Sequence, residues 1–95
     1  NNLALLYCDQ GAYSKAEPLF VRSLAIKEKT LGQEHPDVAA ALNNLATLYR
    51  VQRAYVESEP LFVRSLAIGE KTFGPEHPFV ATCLNNLALL FEDQG

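Results

Sequence analysis

The sequence predicts an all-α fold, a solenoid of stacked antiparallel helix-turn-helix units with five helices in 95 residues. Three observations carry that prediction. The segment Leu42-Asn43-Asn44-Leu45-Ala46-Thr47-Leu48-Tyr49 has near-copies from Asn1 to Tyr7 and from Leu84 to Phe91, so that Asn1, Asn43 and Asn85 stand at equal intervals of 42. About 29 of the 42 positions in residues 1–42 recur in residues 43–84, and self-similarity at one fixed period marks a repeat array. Within each unit, apolar residues fall at helical spacing, and proline and glycine punctuate every copy at the same places.

The first helix of a unit, helix A, is predicted from residue 36 to about residue 52. Val38, Ala41, Leu42, Leu45, Leu48 and Tyr49 follow the i, i+3, i+4, i+7 pattern of an amphipathic helix. Pro36 suits the first helical position, where its missing N–H would be unpaired anyway, and Asp37 places negative charge at the positive end of the helix dipole. Pro78 repeats the start signal for residues 78–94, although Phe79 does not repeat the charge. Residues 1–10 form a truncated copy of the same helix.

Helix B is predicted at residues 13–30 and 55–72, with Leu19, Phe20, Ser23, Leu24 and Ile26 as its buried stripe. Gly32 and Gly74 end it, because glycine accepts the left-handed conformation after a helix C-terminus, and Lys29 and Lys71 face the last carbonyls. Pro18 and Pro60 conflict with this reading, since an interior proline costs on the order of 3 kcal/mol; a mild bend near the helix N-terminus is expected. The connections are short, as in antiparallel helix pairs. Repeat 1 then covers about residues 1–35, repeat 2 about residues 36–77, and helix A of repeat 3 about residues 78–95. Because the chain opens inside the motif, an excerpt of a longer array is expected.

The formal net charge of −3 is too neutral for a dedicated nucleic-acid binder, and no apolar run approaches the roughly 18 residues that span a bilayer. Cys8 and Cys83 lie far apart and form no metal-ligand cluster; two unpaired thiols fit a reducing, cytoplasmic compartment. The best catalytic or metal-binding candidates are Glu34-His35 and Glu76-His77. Both pairs occupy the same inter-helix turn, without H-E-x-x-H spacing, a glycine-rich phosphate loop or an activated nucleophile. A structural turn role is expected, with no catalytic residue, metal or cofactor.

Leu42-x2-Leu45-Ala46-x2-Tyr49 resembles the tetratricopeptide pattern W-x2-L-G-x2-Y, and Ala16-x3-Phe20 resembles its A-x3-F. That family's usual period is about 34 residues. At 42, with Asn-Asn-Leu-Ala in helix A, Glu-Pro-Leu-Phe in helix B and Gly-x-Glu-His-Pro between units, the chain more closely resembles the long repeats of kinesin light chain and related scaffolds. The resemblance covers the whole chain and favours tetratricopeptide over armadillo or HEAT repeats of similar period. It implies a right-handed α-solenoid and a non-catalytic scaffold that binds a protein or peptide partner on the concave face of its A helices.

At 100° per residue, Leu45, Ala46, Leu48 and Tyr49 share the packed side of helix A, while Asn43, Asn44, Thr47, Arg50 and Val51 share the other. In such solenoids that second side lines the concave surface where extended partners lie. The candidate partner-binding residues are Asn1, Asn2, Leu5 and Asp9, then Asn43, Asn44, Thr47, Arg50 and Val51, then Asn85, Asn86, Leu89, Glu92 and Asp93. Copies differ there, at Leu5/Thr47/Leu89, Cys8/Arg50/Glu92 and Asp9/Val51/Asp93, as reading an irregular ligand requires; drift of exposed positions gives the same pattern. The asparagine pairs have two open roles: a ladder that hydrogen-bonds an extended peptide backbone, or bonds to neighbouring backbone that hold adjacent repeats in register. One tetratricopeptide groove type clamps a carboxylate with lysines and asparagines, but this chain has the asparagines alone. With Arg50 the only cation on that face and Asp9, Glu92 and Asp93 acidic, a ligand of mixed apolar and basic character is expected. The alternative is end-to-end self-association through unpaired terminal helices carrying Leu87, Leu90 and Phe91.

Overall fold

Proline and glycine set the helix limits in the computed structural model, which describes residues 10–95. Four helices and no strand are present among the described residues: α1 (Tyr13–Leu31), α2 (Pro36–Val51), α3 (Tyr55–Phe73) and α4 (Pro78–Gln94). The all-α expectation holds. The first of the five expected helices falls on residues 1–10, of which 1–9 lie outside the described residues.

His35 and His77 precede α2 and α4 in extended conformation, and each imidazole Nδ1 accepts the backbone N–H of the second helical residue, Asp37 or Phe79, at 3.0 Å. Proline at the first helical position has no N–H to give, so this is the first donor that needs a partner. Gly32 and Gly74, both at φ 91°, turn the chain out of α1 and α3. Between α2 and α3 the turn is made by Arg53 at φ 65°.

Pro18 and Pro60 lie inside continuous α1 and α3. Ser14 and Val56, whose carbonyls lose their N–H partners to these prolines, are exposed, so water can replace the missing donor.

The helices pack in sequence order, with α2 held between α1 and α3 and with α4 lying against α3 and α2. Ala16, Phe20 and Leu24 of α1 meet Val38, Ala39, Ala41, Leu42, Leu45 and Leu48 of α2 in one core, joined by Ile68 of α3. Ala46, Phe62 and Leu90 form a second cluster. Fully burying side chains such as Leu42 and Phe62, both 0% exposed, contributes about 1.5–3 kcal/mol each. The hydroxyls of Ser58 and Ser65 on α3 donate to the carbonyls of Ala46 and Ala39 on α2, at 2.7 and 2.8 Å. Both serines are buried and satisfied, and their small size lets the two helices approach closely.

The expected stripe of helix B needs one correction. Ile26 is 52% exposed, whereas its register equivalent Ile68 is 4% exposed. Ile68 is covered because the α1–α2 pair lies against α3; among the described residues no preceding pair covers the same face of α1. Ser23 is half-buried for the same reason, unlike Ser65.

Candidate functional site

Because α2 buries Val38, Ala41, Leu42, Leu45, Ala46 and Leu48, its open side reduces to a stripe at i, i+4, i+7 and i+11: Ala40, Asn44, Thr47 and Val51, all exposed. The equivalent positions of α4 are Thr82, Asn86, Leu89 and Asp93, of which Thr82 and Asp93 are exposed and Asn86 and Leu89 half-buried. Helix α4 packs beside α2, so the two rows form one surface of small, amide and aliphatic groups.

Asn43 and Arg50 lie on the flank of α2 that meets α4. The Asn43 Nδ2 approaches the Cys83 Sγ at 3.7 Å, and the Arg50 Nε donates to the Asp93 Oδ2 at 2.7 Å. The Asn43 Oδ1 is buried with no hydrogen-bond partner among the described residues. The cation is thus closed onto a carboxylate of the next helix, and the net charge it adds to the face is small. The equivalents of Asn43 and Arg50 on α4, Asn85 and Glu92, are exposed. Asn1, Asn2, Leu5 and Asp9 lie outside the described residues.

Sequence reasoning missed Cys83, which is 0% exposed and sits between Asn43 and Ser65, with its Sγ 3.6 Å from the Ser65 Oγ. Its signal was the replacement of Ala41 by Cys83 at a packed position of the repeat, where the flanking Val38, Ala39, Leu42 and Leu45 recur as Val80, Ala81, Leu84 and Leu87. It also missed the polar ties between neighbouring helices. The Tyr49 hydroxyl donates to the Glu17 Oε2 at 3.2 Å, and burial first, then the Glu17 carboxylate, raises the Tyr49 pKa from its ordinary 10.0. Arg64 on α3 pairs with Glu28 on α1 at 2.6 Å, and Lys71 pairs with Glu34.

His35 and His77 hold helix ends through Nδ1. Among the described residues no group of three or more His, Cys, Asp or Glu is placed to hold a metal ion, and no helix is long and apolar enough to cross a membrane.

A family profile described as "Tetratricopeptide repeat" matches residues 1–55 and again residues 37–95. The crystal structure of BtubC (BKLC) from P. vanneervenii, a kinesin light chain-like tetratricopeptide repeat protein, is similar to this chain at TM-score 0.89 and 28% identity. The similarity covers 97% of this chain and 36% of that one, so the chain spans about a third of its structural relative. Tetratricopeptide repeats generally mediate protein–protein interaction and are generally a non-catalytic scaffold. With matches that together run from residue 1 to residue 95 and helix pairs that recur at its 42-residue period, the chain belongs to the tetratricopeptide repeat family, in its kinesin light chain-like form.

Proposed function

We propose that the chain is a non-catalytic recognition module, part of a longer right-handed solenoid to which residues 1–10 contribute a fifth helix, with repeat boundaries near residues 35 and 77. A protein or extended peptide lies across α2 and α4, contacting Asn44, Thr47 and Val51 on one helix and Asn86, Leu89 and Asp93 on the next. The observation that carries this reading is the division of α2 and α4: positions facing other helices mostly recur between units, while the open stripe changes from Ala40, Thr47 and Val51 to Thr82, Leu89 and Asp93. With Arg50 engaged by Asp93, the face favours a ligand of mixed apolar and basic character over an acidic one. The module acts in the cytoplasm and takes neither nucleic acid nor membrane as its partner.

The test is a peptide-array screen with the protein, followed by isothermal titration of the best hits against Asn44→Ala and Leu89→Ala. Affinity falling by roughly tenfold with unchanged melting supports the reading. Hits that bind both variants as tightly as the parent, or an acidic set that binds most tightly, overturn it.

A second reading rests on a different observation. Of the residues expected to lie open on α4, Phe91 is 52% exposed, but Leu90 is fully buried against Ala46 and Phe62 and Leu87 is half-buried. Leu84, also 52% exposed, joins Phe91 instead, while their equivalents Leu42 and Tyr49 are covered by neighbouring helices. That face is the seat of another repeat, which a second copy can supply by stacking end to end. Light scattering that reports a strict monomer at high concentration excludes the stacking.

A further inference from the structure

Both junctions between helix pairs are closed by a histidine used as a helix cap. Serine, threonine, asparagine and aspartate are the strong N-caps and keep their acceptor near neutral pH. At His35 and His77 the acceptor is an imidazole Nδ1, 3.0 Å from the N–H of Asp37 and of Phe79. A neutral ring offers that lone pair only in the tautomer protonated at Nε2, and a protonated ring offers none. Protonation also sets a positive charge at the positive end of the helix dipole. We propose that His35 and His77 form a proton-sensitive pair of caps that loosens the contact between successive helix pairs when the medium acidifies.

The first turns they hold are the ones that bind the pairs together. Val38 and Ala39 follow His35 and are fully buried in the core that joins α2 to Ala16, Phe20 and Leu24 of α1, across the junction. Val80, 1% exposed, occupies the same place after His77. Uncapping therefore frays the turn that meets the adjacent pair, while the more distant turns keep their own bonds.

The two sites differ in what surrounds the ring. Around His35 stand Glu34, held by Lys71 of α3, Asp37, whose Oδ2 is 4.0 Å from Nδ1, and Arg64 of α3, which reaches the Gln33 carbonyl. A protonated His35 can turn its Nδ1–H to Asp37. Around His77, Phe73 of α3 stacks on the ring at 4.2 Å and Phe79 follows in α4. Glu76 is its neighbour in the turn, and no carboxylate of the described residues lies within 4.0 Å of its ring nitrogens. The start of α4 consequently has no ion pair to take over from the lost cap, and it is the more sensitive junction.

The sign follows from the bond. The stabilisation is complete while the imidazole is neutral and is lost when the ring takes up a proton, because Nδ1 then has no lone pair to accept the amide. The experiment follows the imidazole nitrogens and the amides of Asp37 and Phe79 by NMR from about pH 8 to about pH 5.5. Melting is then compared at the two ends for the parent, His77→Asn and the double variant His35→Asn with His77→Asn, in which an amide oxygen keeps the cap without titrating. The expected results are an Nε2–H tautomer at the upper pH, amide shifts that move with ring protonation, and a melting temperature that drops by roughly 4–8 °C per cap in the parent. In the double variant the drop disappears, and His77→Asn alone removes the larger share. A double variant that loses as many degrees as the parent overturns the proposal, and so does an Nδ1 that carries its proton at the upper pH. If the variants fail to fold, the parent's tautomer and amide titration decide the matter alone.

Discussion

Gly69 and Phe79 are fitted to each other: a Cβ built on Gly69 would stand 2.8 Å from the Phe79 Cδ2. One unit earlier the same two positions hold Lys27 and Asp37, so the pair changes together, with the glycine giving up its side chain where the aromatic ring arrives. Gly69→Ala should raise helix propensity by about 1 kcal/mol yet destabilise the protein by about 1–3 kcal/mol through overpacking against the ring. With Phe79→Asp in the background the ring is gone and the same substitution should stabilise. Urea unfolding of the four proteins in this cycle measures the reversal, and equal effects in both backgrounds would refute the fit.

Arg53 occupies the left-handed region at φ 65°, where the equivalent positions hold Gly11 at φ 75° and Gly95 at φ 80°. A side chain there is strained, and the residue is exposed, so nothing in packing offsets the strain. Arg53→Gly should stabilise by about 0.5–1 kcal/mol, less the extra backbone entropy of an unfolded glycine. Thermal and chemical denaturation measure it, and a loss of stability would show that the side chain is needed.

The Tyr49 hydroxyl is held by Glu17, and both burial and that carboxylate raise its pKa above 10.0. A raised phenol pKa favours folding while the phenol is neutral, so its contribution is complete below pH 10.0 and is lost as pH rises through the folded value. Alkaline unfolding followed by circular dichroism should therefore begin earlier in the parent than in Tyr49→Phe, relative to each protein's stability at neutral pH. At neutral pH the phenylalanine variant should be about 1 kcal/mol less stable.

Arg50 and Asp93 are partly solvated, with side chains 23% and 38% exposed, so their bond should matter little for stability and more for charge placement. Exchanging them, as Arg50→Asp with Asp93→Arg, should recover most of a loss of about 0.5 kcal/mol seen in either single variant, and both losses should shrink at about 1 M salt. A coupling energy that survives high salt unchanged would argue against a solvated ion pair.

The helix limits were legible because they are set locally. Proline before α2 and α4, glycine after α1 and α3 and the apolar spacing between them place every described helix to within a residue of its expected bounds. The orientation of single side chains was less so. Ile26 and Ile68 end the same ten-residue run, residues 17–26 and 59–68, and have opposite exposure, since α1 and α2 cover Ile68 while among the described residues nothing equivalent precedes α1. Asn43 and Asn44 are adjacent and chemically identical, yet one enters the seam with Cys83 and the other stays open, because a step of 100° around the helix separates the flank from the stripe. Gly69 and Phe79 were visible as two separate departures from the repeat. Their contact across a turn was not, since only the folded chain brings them together.

The two serine bonds between α2 and α3 bear on how an array of such units flexes. Ser58 and Ser65 lie seven residues apart, as do their acceptors Ala46 and Ala39, and the pairs run antiparallel. Sliding α3 along α2 by one helical turn, about 5.4 Å, would break both bonds at once and leave two buried hydroxyls searching for acceptors, a loss of about 1–3 kcal/mol for each. The hairpin therefore moves as a single stiff plank, and any change in the curvature of the array is taken up where one plank meets the next.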